Sequence, residues 1–454
     1  MVRRAGRDLM RSLFAASLSA LALATLVLLC TRRHAVVRLL GGPAPFAALF
    51  CLAVGANATL VFLPADGPRS QALVAVAVCF VILAAFATNG SNRPGGVDRR
   101  QRNAWWTLGA LVAWCFFSDA LVDGGIYGGS RWFTYAAAAA VWAGVGALAS
   151  AGALRPAGFA YLGAMVLCLL TVPAAVDDAS WAPCTTGSLE KCSVAGALYR
   201  SFASSENYIA ILAAFTFVAA VTALTGGARN LIALHALVTL VASGSRTGEI
   251  SVVATLGVVV LLRLAHRRVP ARPAGARGVP GPLIALGVAA VGAFAVRLIL
   301  TAPPEALSRR GAIWAAVRDP LDRHPATGVG VSKWAYYQEF GESPLHFFHS
   351  GYALVLFSGG FVGCALFSLW IGWIIAGANR GEHAVPVTAL ATLLALYSVT
   401  EVVWNPLAVD GLTWIALGIA SIGTRSPTAE DSGTRQAAAG TLTGTAERTA
   451  GVAA

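Results

Sequence analysis

Charge is scarce in this chain. Aspartate, glutamate, lysine and arginine make up 12% of its 454 residues, about half the roughly 25% of an ordinary soluble domain. Lysine is almost missing: Lys191 and Lys333 are the only two, and arginine carries the rest of the basic charge. There is no CxxC, no HExxH and no clustered His/Cys set, so no metal site is indicated. There is no Walker loop and no dinucleotide fingerprint, so no nucleotide cofactor is implied. An enzyme without a nucleotide site would need an activated donor presented from the membrane. No small-residue cleavage site follows the apolar stretch 12–30, which therefore reads as a retained span and not as a removed signal peptide. No internal sequence repeat is visible.

What the chain has in excess is apolar length. Hydrophobic residues are 57% of the total and the mean hydropathy is +0.69. Runs of about 20 residues recur, each able to cross a hydrocarbon core of roughly 30 Å. Backbone groups in lipid must pair internally, so these runs predict helices. Thirteen segments qualify, near 12–30, 43–63, 71–88, 104–122, 132–150, 157–175, 207–225, 229–243, 248–264, 282–300, 350–377, 384–402 and 407–423. The fold expected is an all-α polytopic membrane bundle of 12–13 transmembrane helices, a single domain over 1–423. The tail 424–454, rich in Ala, Gly, Thr and Ser, is expected to be disordered and cytoplasmic.

Arginine sets the expected orientation. The net charge of +12 sits mostly in short connections and does not argue for nucleic acid. Residues 31–38, 89–103 and 263–281 are arginine-rich and fall on one side if the spans alternate, which makes that side cytoplasmic. Counting back then puts the N-terminus outside, although it carries Arg3, Arg4, Arg7 and Arg11. A twelve-span chain with both ends inside is the competing arrangement.

Two outer connections exceed a turn, about 176–206 and 301–349, and long ordered loops tend to carry function. In the second, residues 308–324 read as an amphipathic helix lying on the membrane, with Ile313, Trp314 and Val317 as its apolar face. Its arginines suit bidentate phosphate binding or snorkelling from an interfacial helix. His349, where this loop enters the next span, suits a general base or a hydrogen-bonded helix start, and His346 poses the same choice. Ser245-Arg246-Thr247-Gly248 joins two spans. An arginine there is costly and often functional, or it pairs with Glu249. Ser205-Glu206-Asn207 opens another span, with Asn207 a candidate cap. Glu401 and Asp410 flank an outer turn and are either structural or carboxylates of the same site. His235, in mid-span, reads as a packing histidine. Six of the eight cysteines act as small apolar residues; Cys184 and Cys192, in the first outer loop, are expected to form a disulfide.

Arg310 through Trp314, then Gly328-Val329-Gly330, then His349 and a span with Gly359-Gly360 and Gly363, resembles the signature of the O-antigen ligase and O-antigen polymerase superfamily. Ser245-Arg246-Thr247-Gly248 resembles its upstream motif, and Ser205-Glu206-Asn207 its asparagine-bearing helix start. The resemblance covers roughly 195–405. It departs at Ser350, where the family has asparagine, at Arg309, where it has glycine, and in an extra N-terminal span.

The resemblance implies a metal-independent, cofactor-free transferase of C-type glycosyltransferase architecture, multi-pass in the bacterial plasma membrane. The donor would be a glycan on undecaprenyl or decaprenyl diphosphate, and the acceptor a hydroxyl of a glycan or glycolipid at the outer leaflet. His349 would be the base and Arg246 and Arg310 would hold the diphosphate, with Asn207, Arg309, His346 and Glu401 as further candidates. Ligase and polymerase share these donor-side motifs. The alternative is a transporter or flippase for a lipid-linked or amphiphilic solute, in which Arg246 and Glu249 serve a gated pathway. The inverted repeats and charge-lined spans that would favour it are not seen. A third reading is a non-catalytic scaffold of an envelope complex.

Overall fold

The computed structural model describes residues 2–63, 68–89, 99–123, 132–173, 177–184, 191–203, 205–268, 281–334, 348–378, 383–406 and 409–422. All thirteen apolar segments lie on helices. In chain order these are α1 (Val2–Thr31), α2 (Arg33–Leu39), α3 (Pro43–Phe50), α4 (Ala56–Phe62), α5 (Pro68–Asn89), α6 (Arg99–Asp123), α7 (Trp132–Ser150) and α8 (Pro156–Thr171). They continue as α9 (Glu206–Ala223), α10 (Gly226–Ser243), α11 (Arg246–Arg268), α12 (Gly281–Thr301), α13 (Ala306–Arg323), α14 (Gly351–Ala378), α15 (Ala384–Thr400) and α16 (Gly411–Ile422). A π-helical turn, Cys51–Gly55, joins α3 to α4 and makes one span of the two. Among the described residues eight stretches are long and apolar enough to cross a membrane, and 156–171, 289–301, 384–400 and 411–422 are shorter apolar helices. The chain is an all-α polytopic membrane protein.

Large apolar side chains such as Leu23, Phe86, Val253 and Leu261 point outward, as a lipid-facing surface requires. His235 is fully buried, with Nδ1 3.2 Å from Thr25 Oγ1 and Nε2 3.0 Å from Thr171 Oγ1. It is the packing histidine that its mid-span position suggests.

The described part of the connection 176–206 holds a two-stranded antiparallel pair, β1 (Trp181–Pro183) on β2 (Ala197–Tyr199). The expected disulfide joins Cys184 to Cys192. Arg11 Nη2 lies 3.1 Å from Asp178 Oδ1, so α1 starts at the end of the bundle that carries this strand pair. Of the arginine-rich connections 89–103 and 263–281, residues 90–98 and 269–280 lie outside the described residues, as does the tail from 423.

The loop helix α13 corrects one expectation. Ile313, Trp314 and Val317 are buried, Trp314 fully, and the Trp314 indole donates to the Phe348 carbonyl at 2.9 Å. The apolar face therefore packs on protein and not on lipid. Arg318 donates to the carbonyls of Ile299 and Ala302. It satisfies the open C-terminal carbonyls of α12, a role favoured by charge and geometry together.

The Gly328-Val329-Gly330 motif docks into a break in α14. Gly360 has φ +60° and ψ −157° inside that helix, a conformation open to glycine at little cost. The break frees carbonyls and N–H groups that the loop takes up. Val329 N–H donates to Phe357 O at 2.8 Å, Gly330 N–H to Ser358 O at 3.2 Å, and Phe361 N–H to Pro325 O at 2.8 Å. Helix α6 holds the other side. Trp114 Nε1 donates to Gly359 O at 2.8 Å. Asp119 Oδ1 accepts from Ser332 N–H at 3.1 Å, and Asp119 Oδ2 accepts from the Ser332 hydroxyl at 3.1 Å and from the Tyr135 hydroxyl at 2.5 Å. A Cβ on Gly330 would sit 1.7 Å from Asp119 Oδ1, so the second glycine of the motif is required by contact as well as by its φ of +77°.

Candidate active site

Glu401 leaves the C-terminal end of α15 in extended conformation and is 4% exposed. Its carboxylate is shared. Oε1 accepts from Arg310 Nη2 at 2.5 Å and from Asn207 Nδ2 at 3.3 Å, and Oε2 lies 3.1 Å from His349 Nδ1. Three segments far apart in sequence thus meet on one acid. Arg310 is anchored a second time, with Nη1 donating to Thr400 O at 2.5 Å. A guanidinium has five N–H donors in a fixed fork, so these two bonds orient it and leave capacity for an anion.

His349 is positioned by its backbone. Its φ is +46°, an uncommon conformation for a residue with a side chain and one that clusters at functional sites. Both neighbours are pinned. Phe348 O accepts from Trp314, and Ser350 is fully buried. Ser350 Oγ accepts from Ala353 N–H at 3.3 Å, the bond of an N-cap. Serine is among the strongest N-caps, so Ser350 suits the start of α14. Gly351 N–H donates to Glu401 O at 3.1 Å, tying the start of α14 to the same acid.

Asn207 is more than a cap. Ser205 caps α9, its hydroxyl accepting from Asn207 N–H at 3.2 Å, which leaves the Asn207 amide to reach Glu401. Asn207 Oδ1 accepts from Lys191 Nζ at 3.1 Å, and Lys191 also pairs with Glu206 at 2.5 Å. Lys191 precedes Cys192, so the disulfide fixes the strand from which it reaches the site. The sequence reading missed Lys191. Its signal was its rarity, as one of two lysines, and its place beside Cys192.

Arg246 opens α11 with its side chain exposed. Its motif glycine, Gly248, lies against the Tyr397 hydroxyl: a Cβ there would come within 2.4 Å of it. Tyr397 is one turn before Glu401, so the Ser-Arg-Thr-Gly motif abuts the helix that delivers the shared acid. The side chain of Arg309 and all of His346 lie outside the described residues. Asp410 does not join the cluster around Glu401. It caps α16 through Thr413 N–H at 3.2 Å and the Thr413 hydroxyl at 3.0 Å.

The arrangement pairs a fixed imidazole with a fixed guanidinium through one carboxylate, at the mouth of a helical bundle. Such a site can hold an anionic leaving group and take up a proton from a neighbouring hydroxyl. No curated protein and no solved structure matches the chain. Asn207, Lys191 and Glu401 lie outside the stretch that matches a family model, and reach the site through the fold. That stretch, residues 231–368, contains Arg246, Arg310, the Gly-Val-Gly loop and His349, and it matches the model of the O-antigen ligase family.

Proposed function

We propose that the chain is a membrane glycosyltransferase that moves a glycan from a polyprenyl-diphosphate carrier to an acceptor hydroxyl at the outer leaflet of the bacterial plasma membrane. The O-antigen ligase match supports a glycosyl-transferring role in polysaccharide biosynthesis. The observation that carries the finer reading is the sharing of Glu401 between Arg310 and His349. An imidazole donating Nδ1–H to a carboxylate has its basic lone pair on Nε2 and its ring fixed in orientation. Nε2 takes the acceptor proton as the acceptor oxygen bonds to the anomeric carbon. The bond from that carbon to the diphosphate oxygen breaks, and the electron pair leaves with the diphosphate. Arg310 and Arg246 hold that growing charge, with donors preset before the charge develops. Asn207 and Lys191 keep the acid in place. Residues 1–423 act as one transmembrane unit, and 424–454 form a cytoplasmic tail.

The test is deletion of the gene followed by analysis of lipid-linked and envelope glycans. A ligase mutant accumulates full-length chains on the carrier, and a polymerase mutant accumulates single repeat units. The expected result is one of these two, unrelieved by a His349→Ala copy. If neither accumulates, and His349→Ala restores the envelope glycan fully, transport or a scaffold role replaces catalysis.

A further inference from the structure

The two ends of the bundle treat their basic side chains differently. At the end that carries Glu401 and the β1–β2 pair, Arg11, Lys191 and Arg310 each pair with an acid. The course of the helices fixes the far end. Helix α9 starts beside Glu401 and runs away to Ala223, so the turn into α10 lies at the far end. Helix α8 finishes where Leu170 O accepts from the Tyr199 hydroxyl of β2, so it begins at the far end. Helix α1 runs toward that end from Arg11. His235 of α10 meets Thr25 of α1 and Thr171 of α8, so these three helices form one group.

Arg32, Arg33, Arg38, Arg155 and Arg229 stand at the far end of this group. The first three lie just after α1 and on α2, Arg155 precedes α8, and Arg229 is near the start of α10. All five are exposed. The stretches that carry them, 31–42, 150–158 and 222–231, contain no aspartate or glutamate. Among the described residues none of the five has an acid partner. Arg33 and Arg229 reach the neighbouring His34 and Asn230, which carry no negative charge. Helix α2 is held against α8: a Cβ on Gly158 would come within 2.4 Å of Leu40. That contact brings the backbones of Arg38 and Arg155 to one corner.

The helical turns that lead to these arginines are apolar and face outward, with Leu26 and Val27 of α1 and Leu234 of α10 exposed. An apolar band bordered by uncompensated positive charge fits a phospholipid on both counts. Acyl chains cover the band, and the headgroup phosphate meets guanidinium groups, which bind it through paired N–H donors. A zwitterionic headgroup brings its own cation to that charge, whereas an anionic one does not.

We propose that these five arginines bind an anionic phospholipid of the leaflet away from Glu401. A basic residue near a membrane surface raises affinity for anionic headgroups by about fivefold. This site goes beyond the glycosyltransferase reading and does not depend on it, since its test needs no transfer.

The test uses the purified full chain in neutral detergent and native mass spectrometry, with phosphatidylglycerol and phosphatidylcholine of identical acyl chains as probes. Phosphatidylglycerol is expected to remain bound in clear preference, and the preference should shrink as salt is raised, because exposed charges are screened. Arg38→Gln and Arg155→Gln are each expected to lower phosphatidylglycerol binding by about fivefold and to leave phosphatidylcholine binding unchanged. Arg38→Lys keeps the charge and should keep the binding. Arg263→Gln removes an exposed arginine toward the far end of α11, outside the group, and should change nothing. Equal binding of the two lipids, or phosphatidylglycerol binding unaltered in both glutamine variants of the corner, overturns the site. An equal loss in Arg263→Gln also overturns it, since the effect would then be one of total charge. Soluble poly-glutamate held as tightly as phosphatidylglycerol would give this face to an acidic protein and overturn the lipid assignment.

Discussion

Glu401 and Asp119 are both 4% exposed, and each is reached by groups from segments distant in sequence. Their partners differ in kind. Asp119 meets a backbone N–H and two neutral hydroxyls, all on elements that it holds together. Glu401 meets a guanidinium, an imidazole and an amide, two of which carry or exchange charge. A carboxylate satisfied by neutral donors is a fastener. One that shares its two oxygens between a cation and a base sets the geometry of a reaction. Under the proposed function the motifs follow the same division: Gly-Val-Gly belongs to the fastener, while Arg310 and His349 belong to the cluster proposed to react.

The comparison breaks if the two acids respond alike to substitution. Glu401→Gln keeps the volume but removes the charge shared by Arg310 and His349. Glycan transfer by purified protein is expected to fall by about 100-fold or more, the scale of a lost acid–base function, with normal accumulation in the membrane. Asp119→Ala should do the reverse. It removes the acceptor shared by the Tyr135 and Ser332 hydroxyls and the Ser332 N–H, and each hydrogen bond lost to a charged group costs about 1.5–3 kcal/mol. Thermal unfolding in detergent should show that loss, while transfer per folded molecule stays near that of the parent chain. If Asp119→Ala left stability unchanged and abolished transfer, the assignment of the two acids would be wrong.

The helices were legible in the sequence because lipid permits little else for runs so apolar, and all thirteen segments form them. The motif residues were legible too, since Arg310 and His349 stand at fixed offsets from Trp314 and the Gly-Val-Gly loop. Their partner was not. Glu401 lies 52 residues beyond His349, and nothing in the spacing says that it, and not Asp410, turns into the cluster. Both flank the same turn, but Asp410 is consumed by the cap of α16. Asp119 was invisible because it sits in an apolar span, where its need for Gly330 and Ser332 appears only after folding. The burial of Trp314 was misread for a related reason: an amphipathic period shows which face is apolar and not whether protein or lipid covers it.

Lys191→Met sharpens the comparison at its margin. It releases Glu206 and Asn207 without touching Glu401. The Lys191 and Glu206 side chains are 27% and 21% exposed, so solvent screens the pair and it is worth at most about 1 kcal/mol. Transfer is expected to fall by roughly fivefold, measured as initial rate at saturating donor. A loss as large as that of Glu401→Gln would move Lys191 from the support of the site to its centre.

The central claim is that His349 takes the acceptor proton while other groups hold the donor. It is tested most directly by measuring transfer and donor binding together in His349→Ala. The account predicts that transfer falls by about 10²–10⁴-fold while the affinity for carrier-linked glycan stays close to that of the parent chain. Transfer at the parental rate, or donor binding lost in step with transfer, would contradict it.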